Sequence, residues 1–242
     1  MKTRQKIRLL LVFSSLLLFP VTLNFFSPYI SIDGALSGII SGSVIVFLVL
    51  FISGIFFGRA WCGWVCPVAG LSELGGAINN KPAPVRKLTF LRYGIFALWF
   101  SVLVTGFVLA GGIKGIDPLH LADSFVSVDE PVKYITYYLV LFIFFGLTVI
   151  TGKRAGCHGI CWMSPFLVGG YLAGKLVHLP QLRIISRPSS CIQCRTCNDR
   201  CPMSIPVSQY VKTGKVGSLD CILCGQCVDG CPNTTLAYGI RR

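Results

Sequence analysis

Four apolar stretches constrain this chain more than any other feature: Leu9 to Ile32, Ala35 to Phe57, Leu88 to Ala110 and Tyr134 to Thr151. A helix needs roughly 20 apolar residues to cross a bilayer core, so the sequence predicts four membrane-spanning helices. Pro20 and Asn24 interrupt the first, which a span tolerates where neighbours satisfy the freed carbonyl. A signal peptide would also open on basic residues such as Lys2, Arg4, Lys6 and Arg8, but this apolar part is too long and no small-x-small cleavage site follows it. In the second stretch, Gly38, Gly42 and Gly54 would let another helix approach closely. A fifth apolar piece, Pro165 to Leu179, is interrupted by Gly169, Gly170, Gly174 and Lys175 and reads as an interfacial or re-entrant helix rather than a fifth span.

Hydrophobic residues make up 53 % of the 242 and charged residues only 13 %, so the net charge of +13 does not describe a nucleic-acid surface and no nucleic-acid partner is expected. With four spans, the basic N-terminus, the 58–89 loop (Arg59, Lys81, Arg86, Lys87) and everything after Thr151 share one side. The opposite loops hold Lys114 and Lys133 beside Asp33, Asp117, Asp123, Asp129 and Glu130. The positive-inside rule therefore predicts a multi-pass protein of the inner, cytoplasmic membrane with both termini and all twelve cysteines in the cytoplasm. That compartment is reducing, which argues against disulfides.

The fold expected is thus an α-helical membrane domain, 1–180, joined to a small polar α+β domain, 181–242, too small to build a sizeable apolar core alone. Residues 191–202 read CIQCRTCNDRCP and 221–232 read CILCGQCVDGCP, so C-x2-C-x2-C-x3-C-P occurs twice. Four soft thiolates can hold an iron–sulfur cubane when a tight loop supplies three and the fourth arrives from elsewhere. In two-cluster ferredoxins, which this repeat resembles, the fourth cysteine of each run serves the other cluster. The pattern then assigns Cys191, Cys194, Cys197 and Cys231 to one [4Fe–4S] cluster, and Cys221, Cys224, Cys227 and Cys201 to a second. Zinc is disfavoured, because a zinc knuckle needs no third cysteine at this spacing. Gly225 and Gly230 would let backbone N–H groups approach cluster sulfurs, or are simply turn glycines. From Gln181 onward eight Lys or Arg face three acids, a surface suited to anionic membrane lipid, to an acidic redox partner, or to nothing but solvent.

The other four cysteines form two C-x3-C pairs, GRAWCGWVCPVAG at 58–70 and KRAGCHGICWMSP at 153–165, each just beyond an inward-running span. Three readings stay open for Cys62, Cys66, Cys157 and Cys161: ligands of a third iron–sulfur or other metal centre, metal-free redox thiols, or buried structural thiols against Trp61, Trp64 and Trp162. A c-type haem does not fit, since attachment uses C-x-x-C-H. The four expected spans contain no histidine, and His120 and His178 read as ordinary loop residues. Glu73 and Asp117 are candidate proton acceptors for a quinone, His120 an assistant to the latter.

The order of FFGRAWCGWVCP, a second C-x3-C and a terminal double cysteine run resembles the NapH-type membrane quinol-dehydrogenase subunits of periplasmic nitrate reduction. It also resembles related membrane polyferredoxins of the nitrous-oxide reductase regulator and copper-oxidase assembly families. One departure is that Cys161 is followed by Trp162, with Pro165 only later. The resemblance implies an electron-transfer iron–sulfur subunit working between a quinone pool or membrane partner and redox proteins, with ferredoxin-like or cytochrome subunits as partners. It gives Cys62, Cys66, Cys157 and Cys161 the role of carrying electrons to the membrane. Whether the subunit itself oxidises quinol as an enzyme stays open. The alternative is an assembly or metal-handling factor for a respiratory metalloenzyme.

Overall fold

A computed structural model describes residues 2–121, 126–128 and 130–241; Asp123, Asp129 and Arg242, which enter the charge asymmetry, lie outside them. The first apolar stretch does not form one helix. Helix α1 (Thr3–Leu17) stops at Leu18, Pro20 lies in the first turn of α2 (Phe19–Thr22), and a 3-10 turn (Leu23–Phe26) leads to α3 (Pro28–Ser37). Proline fixes φ and lacks an N–H, so it begins helices rather than continuing them. Ser27 caps α3 by accepting the Ile30 N–H. The pieces on either side of Leu18 meet at 59°. Carbonyls freed at the 26–28 break find indole donors, Trp162 Nε1 to Phe26 O at 3.0 Å and Trp99 Nε1 to Pro28 O at 3.1 Å.

The second stretch is also divided. Gly38, at φ +73°, closes α3 in the left-handed region that glycine enters without strain. Strand β1 (Ile39–Ser41) follows and pairs in parallel with β2 (Gly115–Asp117). That leaves α4 (Gly42–Phe57) with 16 residues, a rise of about 24 Å and short of a bilayer core. After α5 (Ala60–Trp64) and α6 (Pro67–Ile78) come α7 (Val85–Leu109, 25 residues) and α8 (Pro131–Thr151, 21 residues). Among the described residues these two are long and apolar enough to cross a membrane, or three if the bent α1–α2 segment is one span. The expectation of four transmembrane helices is corrected accordingly. Hydropathy reads through Ser27–Pro28 and Gly38, where the backbone turns.

Helix α9 (Ala155–Gly159) precedes α10 (Ser164–Leu176), which takes up most of the fifth apolar piece and packs along α4. The approach is close enough that a methyl on Gly54 would sit 2.5 Å from Leu167 O, while one on Gly170 would run into Phe51 O. From β3 (Gln181–Ser186) onward the chain forms a small β-containing unit on the helical one. It holds α11 (Thr196–Asp199), α12 (Val207–Val211), α13 (Gln226–Asp229) and β4 (Leu236–Arg241), which pairs antiparallel with β3. The sequence repeat is also a backbone repeat. Positive φ falls at Gln193 and Leu223, at Arg195 and Gly225, and at Ser204 and Thr234, equivalent places in the two runs.

Candidate functional site

All four cysteines of the C-x3-C pairs are buried in one core cluster. They are not spaced along single helices. Cys62 lies in α5, whereas Cys66 is extended and caps α6, where Pro67 takes the first position. Cys157 lies in α9, and Cys161 follows it before Ser164–Pro165 opens α10. Each loop therefore launches a helix at its proline, and the second merely delays it. The pairs are near enough to act on one another: burial raises Cys66 well above its ordinary thiol value, with Cys62, Cys157 and Cys161 adding to the rise. Burial likewise pushes Cys161 up to about 12 and raises Cys62, on which Arg59 pulls the other way. Ser72 of α6 reaches Cys157 Sγ at 3.6 Å.

Around the thiols runs a buried ionic seam that sequence reasoning largely missed. Arg8 and Arg154, each 1 % exposed, clamp Glu73 Oε1 at 2.9 and 2.7 Å. Arg154 Nη1 also donates to Cys62 O at 2.9 Å, tying the second cysteine loop to the first. Arg59 and Arg92 converge on Asp220 Oδ1 at 2.7 and 3.2 Å. Burial alone would raise Glu73, but Arg154 and Arg8 outweigh it and hold the carboxyl down to about 2, so Glu73 is a fixed anion and not a poised proton acceptor. His158, fully buried with Nδ1 4.0 Å from Asp220, is kept neutral, its pKa lowered to about 4 by burial and by Arg59 and Arg92 against the pull of Asp220. The signal available was Arg92 itself, a cation inside an apolar stretch that needs a partner. At the opposite end of the helices, His120 Nε2 lies 2.8 Å from Asp33, and Asp117 accepts the Leu119 N–H. His178 is exposed at the end of α10.

The seam docks the tail. Gln5 Nε2 donates to Cys224 O at 2.9 Å and to Asp229 at 2.7 Å, and Trp64 Nε1 donates to Leu223 O at 2.9 Å. A methyl on Gly63 would collide with Ile222 O, so the first C-x3-C loop lies directly against the Cys221–Cys224 loop. The eight tail cysteines fall into two sets. Cys201, Cys221, Cys224 and Cys227 line one small cavity beside this contact, and Cys191, Cys194, Cys197 and Cys231 line another further out. Burial pushes Cys201 to about 11 and Cys221 to about 12, while exposed Cys194 is lowered by hydrogen bonds from Thr196.

On the other side of the four buried thiols a cavity of about 770 Å³ opens between α2, the 3-10 turn, α3 and α8. Its wall is mainly apolar, with Phe19, Phe26, Val68 and Phe144, and it reaches Cys161 and Trp162.

A family profile described as "4Fe-4S binding domain" matches residues 39–84, which take in Cys62 and Cys66. One described as "4Fe-4S dicluster domain" matches residues 183–232, which take in both cysteine runs. YccM of Escherichia coli K12 is 24 % identical over 231 residues, 88 % of this chain, which spans only 60 % of that protein. The ferredoxin-type protein NapH of the same organism is 26 % identical over 242 residues, covering 95 % of this chain and 79 % of its own length. Protein NirI of Paracoccus denitrificans is 27 % identical over 183 residues, 72 % of this chain and 25 % of NirI. The chain is related to the NapH- and NirI-type iron–sulfur membrane proteins. No solved structure matches it.

The chain thus has iron–sulfur and membrane character, but one expectation needs correction. Two intact four-thiolate [4Fe–4S] sites were expected, with a third metal centre as one of three open readings, yet among the described residues no group of three or more His, Cys, Asp or Glu is placed to hold a metal ion. The four thiols of each tail set line one small cavity. The C-x3-C thiols, although packed in one cluster, are not placed to hold a metal ion either.

Proposed function

We propose that this membrane-associated iron–sulfur protein is an electron relay of the inner membrane, exchanging electrons between a quinone in the bilayer and redox partner proteins on the cytoplasmic side, where both its termini lie. Iron–sulfur groups would supply the uptake and release of single electrons, and the matched dicluster profile covers both cysteine runs of the tail. The observation that carries the reading is one of adjacency. The apolar cavity borders Cys161, the four buried thiols share one core, and the loop holding Cys62 touches the loop holding Cys221 and Cys224. A volume of about 770 Å³ suits a quinone ring and the first part of its tail, since small-molecule sites span about 300–1,000 Å³.

Quinol oxidation by the purified full-length chain, with an artificial one-electron acceptor, tests it. Turnover is expected, and Val68→Trp, which fills the cavity, should lower kcat/KM for quinol about tenfold or more with iron content unchanged. Absence of a reducible iron–sulfur signal in low-temperature EPR would sink the relay. Intact EPR signals without quinol turnover would remove the quinone and leave the relay between proteins.

A further inference from the structure

The tail is asymmetric in a way its repeat does not require. The set of Cys201, Cys221, Cys224 and Cys227 is clamped against the helical unit through Gln5, Gly63 and Trp64, whereas the set of Cys191, Cys194, Cys197 and Cys231 faces outward, with Cys194 exposed. Residues 187–190, 192–195 and 232–234 are exposed and form one face. Arg187 N donates to Thr235 O at 2.9 Å and Asn233 Nδ2 to Ser190 O at 3.4 Å, which holds its parts together. Among the described residues, the hydrogen bonds of 187–195 stay within the tail.

Charge is distributed just as unevenly. The tail has three acids, and two are taken up in the seam: Asp220 by Arg59 and Arg92, and Asp229 by Gln5 and Arg4. Their side chains are 14 % and 8 % exposed, so they do little to offset the outward cations. Arg187, Arg195, Arg200 and Lys212 are exposed, against Asp199 as the exposed acid. This face carries Ile192, 61 % exposed, and two arginines, Arg187 and Arg195, with no carboxylate in 187–195 or 232–234.

We propose that this face is the docking surface for an acidic one-electron carrier protein, with Ile192 as its apolar centre and Arg187 and Arg195 as its charged rim. The inference rests on the relay reading and adds an order to it: the clamped cysteine set exchanges with the membrane side and the outward set with the carrier. One electron crosses the contact, the protein changing by one electron and the carrier's centre by the opposite one, with no bond or proton moved. Rim charges act mainly on the encounter rate and its salt dependence.

The test is stopped-flow electron transfer from photoreduced acidic flavodoxin to the full-length protein in phosphatidylcholine nanodiscs, with photoreduced riboflavin as a small donor that needs no docking. The flavodoxin rate should fall roughly tenfold or more between 50 and 500 mM salt. Arg187→Glu should lower it roughly threefold to tenfold at low salt, with the riboflavin rate unchanged. A flavodoxin rate indifferent to both salt and Arg187→Glu, with riboflavin still reducing the protein, overturns the docking face and leaves the relay standing. Failure of riboflavin to reduce the protein overturns the relay and this inference with it. If Arg187→Glu instead acts only in discs containing phosphatidylglycerol, the face belongs to lipid headgroups and the proposal fails.

Discussion

Glu73 shows how much rests on one carboxylate. It faces two guanidinium groups that are 1 % exposed each, and removing the shared anion leaves both cations buried without it, which costs about 3–5 kcal/mol. Glu73→Gln should therefore lower the unfolding free energy by about that amount and loosen both cysteine loops, measurable as a drop in Tm and faster labelling of Cys62 and Cys157 by a thiol reagent. The acid dependence follows from the same contact. The folded pKa of about 2 lies below the ordinary 4.5, so the stabilisation is complete above about pH 4.5 and is lost as pH falls from there through 2. Thermal melts from pH 7 to 3 should show the wild type losing Tm below pH 4.5 more steeply than Glu73→Gln. Neither the clamp nor its partner at Asp220 is visible in local sequence, because Arg8, Glu73 and Arg154 belong to different elements; a charge in a hydrophobic context was the one clue, and Arg92 alone displayed it within an expected span.

At the scale of elements, the α4–α10 pair explains how a helix too short to span is held. Glycines on both helices bring the backbones together, and Gly170 faces Phe51 O with no room for a methyl. Van der Waals contact is the main attraction between helices in an apolar environment, so forcing them apart has a direct cost. Gly170→Ala should destabilise the protein by roughly 1–3 kcal/mol, read as a lower Tm in detergent, whereas Gly146→Ala on α8, where an added methyl meets nothing within 4 Å, should not. Because α10 leads into β3 and Gln181 Nε2 donates to Ile55 O at 2.9 Å, the Gly170 variant should also displace the tail. Glycine spacing in 35–57 was readable as a close-approach signal; the partner was not, since α10 lies more than a hundred residues on.

For the whole molecule, α7 and α8 form the pair that sets topology. If both cross, the 58–84 segment and everything after Thr151 lie on one side and 110–121 on the other. Reporters inserted within 76–84 and placed after Arg241 should give the same signal, and one within 110–116 the opposite; a matching signal from all three would remove the hairpin. By itself, the sequence determined the iron–sulfur character, through cysteine spacing that soft-metal chemistry requires, and the membrane character, through long apolar stretches that water would not tolerate. Both are properties of composition along the chain, so they survive without knowledge of contacts. Tertiary structure decided which apolar stretches become long helices, because Ser27–Pro28 and Gly38 turn the backbone where hydropathy is blind to dihedral angle. It also decided which charges neutralise one another. Coulombic pairing depends on distance in space, and only the folded chain brings Asp220 to Arg59 and Arg92 and leaves Arg187 and Arg195 facing outward.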